Sequence, residues 1–186
     1  MKRRTYLRAA SAVVLCIAAF AGRAAAEVAA VHKYIGADKC AMCHKAEAKG
    51  NQYGKWLASS HAKAWETLAS PKALEIAKKK GITTAPQATE ACVKCHVTGF
   101  GQVAAMFDAG FKKELGVQCE ACHGPGSDYK AISVMKDKAA AVAAGLIIPD
   151  EAMCKKCHNA ESPTFTAFDY KTMYAKIAHP RPAAPK

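Results

Sequence analysis

Four short stretches carry most of the reactive side chains of this chain: CAMCH at 40–44, CVKCH at 92–96, CEACH at 119–123 and CKKCH at 154–158. Each holds two thiols three positions apart and an imidazole directly after the second thiol. Eight of the nine cysteines and four of the seven histidines lie in these repeats. Disulfides explain paired cysteines but give no reason for a histidine after every second one. Zinc also takes C-x-x-C pairs, and again the recurring histidine is left over. Covalent haem accounts for every residue: the two thiols add to the porphyrin vinyl groups, and the adjacent imidazole meets the iron from one face. Cys40, Cys43, Cys92, Cys95, Cys119, Cys122, Cys154 and Cys157 are therefore the expected attachment points of four haem c groups. His44, His96, His123 and His158 are the expected proximal ligands.

An iron that only carries electrons needs a ligand on its other face as well. Outside the motifs the chain offers His32, His61 and His179. Three histidines for four haems leave at least one iron open, water-bound or methionine-bound. In KWLASSHAKAWETL, residues Leu57, His61, Trp65 and Leu68 recur at helical spacing, which predicts one helix with His61 facing inward. His179 follows an amphipathic run, YKTMYAKIAHP, that Pro180 ends. His32 lies eight residues before Cys40.

The elements that must position these groups are short. Four haems leave roughly 40 residues each, so much of the core is porphyrin and the fold should depend on it. The expected fold class is mainly α: short helices wrapped around four covalent haems, with little or no sheet. SPKALEIAKKKG predicts a helix with Ser70 as N-cap, Pro71 at its first position and Gly81 past its end. DKAAAVAAG predicts a second helix, ending at Gly145. HGPGSDY, 123–129, is a turn-rich loop whose Gly124 and Gly126 let backbone pass close to a haem face. SPTFTAF, 162–168, is either packing or the wall of an open haem pocket, with Thr164 and Phe165 nearest.

The first residues read as an export signal. MKRRTYLR is basic, a short apolar run containing Cys16 follows, and AAA precedes Glu27. The expected division is 1–26 signal peptide, 27–180 tetrahaem domain and 181–186 Pro-rich tail. Periplasmic or otherwise exported localisation follows, with no stable membrane insertion after cleavage, since the apolar run is too short to span. Residues 1–26 hold five basic residues and no acid; without them, 22 basic and 15 acidic residues remain, a formal charge of +7. The lysines are scattered, AKKK at 77–80 is a solvated helix end, and no nucleic-acid module is recognisable. No paired carboxylates, Ser-His-Asp set or phosphate loop stands out.

The chain resembles the tetrahaem cytochrome c-554 family from about Tyr34 to Pro180. The resemblance rests on CAMCHKAEA, SHAKAWETL, CVKCHVTGFGQ and GVQCEACHGPG, and more weakly on FDYKTMYAKIAHP. It implies a mainly helical protein with closely stacked haem pairs, three irons with two histidine ligands and one left open. By position it implies His61 on the third haem, His179 on the fourth and an open second haem. The family also places a histidine shortly after CHGPG for the first haem. Here that stretch is CHGPGSDYKAISVMKDK, with no histidine; Ser133 stands near the position and Met135 two residues on. Met135 is then the candidate ligand of the first haem, with His32 or no ligand as the alternatives.

Two classes of function remain. One is an electron carrier that relays electrons between redox partner proteins and has no catalytic residue. The other is a small nitric oxide or hydroxylamine reductase, or a gas-binding protein, acting at an open iron. A monomer or small oligomer is expected; a haem filament built by lending His32 to a neighbour is a third possibility. Family members are best known for carrying electrons away from hydroxylamine oxidation, a pathway that resemblance suggests by association only.

Overall fold

The computed structural model describes residues 31–179; the expected signal peptide and the C-terminal tail lie outside them. The described chain is mainly helical and contains no sheet. Its single β-type contact is a parallel bridge between Tyr34 and Phe107. The helices are α1 Ala37–His44, α2 Gln52–Ala58, α3 Ala64–Thr67, α4 Pro71–Lys79 and α5 Glu90–His96, followed by α6 Cys119–His123, α7 Ile132–Met135, α8 Lys138–Ala143, α9 Glu151–Lys155 and α10 Tyr170–Ile177. None is long and apolar enough to cross a membrane.

Helices this short have few internal hydrogen bonds, and side chains cap the start of five of them, α2, α4, α8, α9 and α10. Ser70 Oγ accepts from the Ala73 amide at 3.2 Å, and Pro71 opens α4, as its sequence predicts. Asp137 caps α8 through the Ala139 and Ala140 amides, Asp150 caps α9 through Met153, and Asp169 caps α10 through Thr172.

One predicted helix is broken. The 57–68 stretch does not run through: α2 stops at Ala58 and α3 starts at Ala64. Ser59 is extended, and its hydroxyl donates to the Trp56 carbonyl at 2.6 Å, a local bond that competes with the next helical turn. His61 therefore sits in the turn between two short helices.

The buried apolar residues are sparse: Ile35, Leu68 and Tyr129 with four alanines. The N-terminal segment is tied down at Tyr34, whose amide donates to Met106 O and whose carbonyl accepts from Asp108 N, both at 2.8 Å. Tyr34, Phe107 and Phe111 stack there, with centroids 5.3 Å (Tyr34–Phe107) and 4.7 Å (Phe107–Phe111) apart. The glycines of the CHGPG loop face protein. A Cβ on Gly124 would lie 2.8 Å from Gly145 O, and one on Gly126 would lie 3.1 Å from Glu120 Oε1.

Candidate haem sites

Each C-x-x-C-H motif sits at the end of a short helix. The first closes α1, the second closes α5, the third is α6, and the fourth begins in α9 and runs past its end. On a helix, positions three and four apart share a face, so the two thiols and the imidazole of a motif are presented together. All eight motif thiols are free and half-buried.

The motifs come together in a definite order. The Cys40 and Cys119 thiols are neighbours, and the contact raises the Cys40 pKa and lowers that of Cys119. Cys157 lies near Cys95; burial first and then this neighbour push its thiol up to about 12. Cys122 is pushed to about 11 by burial, with Cys154 and Cys119 nearby. Motif one thus adjoins motif three, three adjoins four, and four adjoins two.

The histidines supply the clearest test of fit. His61 faces His158 with ring centroids 6.0 Å apart and planes at 81°. His123 faces His179 at 5.9 Å and 70°. Two bonds from one metal to imidazole nitrogens, about 2 Å each, plus the inner halves of the two rings, span nearly this separation. The pairing reverses the one that position in the family implies: His61 stands opposite the fourth motif and His179 opposite the third. The reason lies in long-range contacts. Gly116 and Val117 pack on the backbone of the His61 turn, the Val117 amide donating to the His61 carbonyl at 3.0 Å. Lys55 Nζ donates to the Ala178 carbonyl at 3.3 Å, which holds the segment leading into His179.

Several rings are held by their Nδ1, leaving Nε2 for a metal. His96 Nδ1 lies 2.7 Å from Ala64 O, His123 Nδ1 3.1 Å from Ile147 O, and His179 Nδ1 2.9 Å from Ile177 O. His44 Nδ1 is 3.3 Å from Gln52 Oε1. His158 instead stacks on Phe168, centroids 4.9 Å apart. Burial lowers the pKa of His61, with His158 adding to the effect, and burial likewise lowers that of His123. The neutral ring is the form that binds metal.

The remaining candidates are scattered. His32 Nδ1 lies 2.5 Å from Asp128 Oδ2, and its ring packs against Gly145. Met135 is half-buried on α7, which packs on α8. Among the described residues neither His44 nor His96 has a second imidazole at ring-contact distance. Thr164 and Phe165 are exposed; their loop approaches the second motif through the Glu161–Lys94 ion pair. Beside α5 an open cleft of about 570 Å³ is lined by Val93, Val97, Trp65, Phe100, Phe107 and Phe111 together with Gln87, Glu90, Thr98, Lys113 and Glu114. Gln52, Phe168, Gln118 and Glu120 escaped the sequence reading. Of these, only Glu120 carried a signal, as a charged residue inside a motif.

Gly116 offers a direct test of how His61 is placed. Its φ of 71° with ψ −137° is a glycine conformation, and an added Cβ would meet the His61 carbonyl at 2.7 Å. Gly116→Ala is expected to cost about 3 kcal/mol of stability, from backbone strain and this clash. If His61 ligates a haem, the substitution should also weaken a low-spin signal; thermal melts and EPR measure the two effects. A melt like that of the wild type would show that the turn does not depend on this contact.

The family described as cytochrome c554 and c-prime matches residues 39–124, a stretch holding the first three motifs. Cytochrome c-554 of Nitrosomonas europaea is 39% identical over 106 residues, covering 55% of this chain and 43% of that protein. The chain thus matches less than half the length of that relative. No solved structure matches. Over the stretch that holds its first three motifs, the chain is thus similar to the cytochrome c-554 family.

Proposed function

We propose that this chain is an exported c-type cytochrome that carries four haem c groups and relays electrons between redox partner proteins. The observation that supports the reading is four C-x-x-C-H motifs in one small fold, with α1 packed on α6 and with His61 against His158 and His179 against His123; the thiol neighbours Cys40–Cys119, Cys122–Cys154 and Cys95–Cys157 agree with it. Redox groups attached at those thiols form one path, in the order first, third, fourth, second. Haem supplies reversible one-electron chemistry. The chain's part is to attach it, ligate it and fix the imidazole orientations through Ala64, Ile147, Ile177 and Gln52. His61 with His158 and His179 with His123 are the proposed ligand pairs. The tie between His32 and Asp128 favours Met135 for the first haem. Lysines around the exposed edges would make partner binding sensitive to salt.

A second reading keeps the second iron open to a small nitrogen oxide. It is favoured by the lack of an imidazole opposite His96 among the described residues. One preparation tests both readings. Purified holoprotein is expected to contain four haems per chain by pyridine haemochrome assay, and a lower count sinks the four-haem relay. EPR of the oxidised protein is expected to show low-spin haems plus a high-spin ferric signal that nitric oxide alters. Low-spin signals alone, indifferent to nitric oxide, would remove the open iron and leave the relay.

A further inference from the structure

Glu120 is a deeply buried carboxylate, 2% exposed, at the second position of the third motif. Its Oε1 accepts from the Ile35 amide at 2.8 Å and the Gly126 amide at 2.7 Å, and its Oε2 accepts from the Gly36 amide at 2.8 Å. Two residues earlier, Gln118 is 1% exposed; its Oε1 accepts from the Ala37 amide at 2.8 Å and its Nε2 donates to Lys112 O at 2.9 Å. The start of α1, which carries the first motif, is therefore capped from the third motif by two side chains of nearly equal size. One bears a carboxylate, the other a neutral amide. Among the described residues no Lys or Arg pairs with Glu120.

The carboxylate also sits beside two attachment points. Cys119 is its chain neighbour, and the Cys40 thiol donates at 3.9 Å to the carbonyl of Gly36, the residue whose amide Glu120 holds. Burial pushes the Glu120 pKa up, while the amides of Ile35, Gly36 and Gly126 pull it down by holding the ionised form; that negative charge stabilises the more positive, ferric state of a nearby haem. In a poorly solvated interior its field reaches further than at the surface.

Resting on the four-haem reading above, we propose that Glu120 is a tuning residue that holds down the reduction potentials of the first and third haems, while Gln118 shares its capping role without the electrostatic effect. Capping alone makes the two residues equivalent; tuning sets them apart.

The test is a spectroelectrochemical titration of holoprotein, with haem content checked first so that loss of a haem is not mistaken for loss of tuning. Glu120→Gln is expected to raise two of the four midpoints by about tenfold in the one-electron equilibrium, ~59 mV, with unchanged EPR ligand signals. Gln118→Ala should leave the midpoints in place. Glu120→Asp, which keeps the charge while disturbing the cap, should leave them low even if Glu120→Gln yields no holoprotein. An unshifted Glu120→Gln protein with four haems would overturn the proposal while leaving the relay intact. So would equal shifts in Glu120→Gln and Gln118→Ala, or raised midpoints in Glu120→Asp.

Discussion

Replacing His61 with alanine is expected to turn the fourth haem, on Cys154, Cys157 and His158, high-spin while the third stays low-spin; His179→Ala is expected to do the opposite. The expectation follows from the ring pairs, His61 against His158 at 6.0 Å and His179 against His123 at 5.9 Å. On the proposed count of four haems each loss exposes one further iron, so about a further quarter of the haem absorbance should become responsive to cyanide. His61→Met keeps a sixth ligand but exchanges imidazole for thioether, which raises the potential of that haem. A structure of each cyanide adduct would show which iron took the ligand. Cyanide on the third haem of the His61→Ala protein would restore the pairing implied by position in the family. The effect should be local, because the His61 turn is held by backbone bonds from Val117 and Ala64 that the substitution leaves alone.

The sequence made some of this legible and hid the rest for a physical reason. A haem attachment motif is local: two thiols and an imidazole within five residues announce themselves wherever the chain takes them. The Ser70 cap and Pro71 start of α4 are local too, and so could be read directly. Ligand pairing is a long-range property. Which imidazole His61 meets depends on Gly116 and Val117 packing against its turn, fifty-odd positions downstream, and no spacing rule carries that. The broken helix at Ser59 is an intermediate case. The apolar spacing of Leu57, His61, Trp65 and Leu68 was present, yet Leu57 is 52% exposed, and a single hydroxyl bond to Trp56 O outweighed the pattern. The role of Glu120 is hidden inside CEACH, because its three amide donors come from segments six and about 85 residues away.

Preventing haem attachment is expected to abolish the fold. Among the described residues the buried apolar set contains three large side chains, Ile35, Leu68 and Tyr129, with Pro86 and four alanines. Fully burying a large apolar side chain contributes about 1.5–3 kcal/mol, whereas ordering each backbone residue costs about 1–2 kcal/mol. So small an apolar core cannot hold ten short helices together. Nor can isolated helices of four to nine residues persist in water, where about 12–15 residues are already marginal. The missing contribution must come from a large apolar body bonded to the chain at several points, and haem attached at two thiols and ligated by an imidazole has that character. A chain with the motif cysteines changed to alanine, or produced without haem attachment, should give a far-UV circular dichroism spectrum of low helix content and no cooperative melt. The holoprotein should melt cooperatively. Native-like helicity and a cooperative transition in the haem-free chain would mean that the polar ties, above all Glu120 and Gln118 on the start of α1, specify the fold without the cofactor.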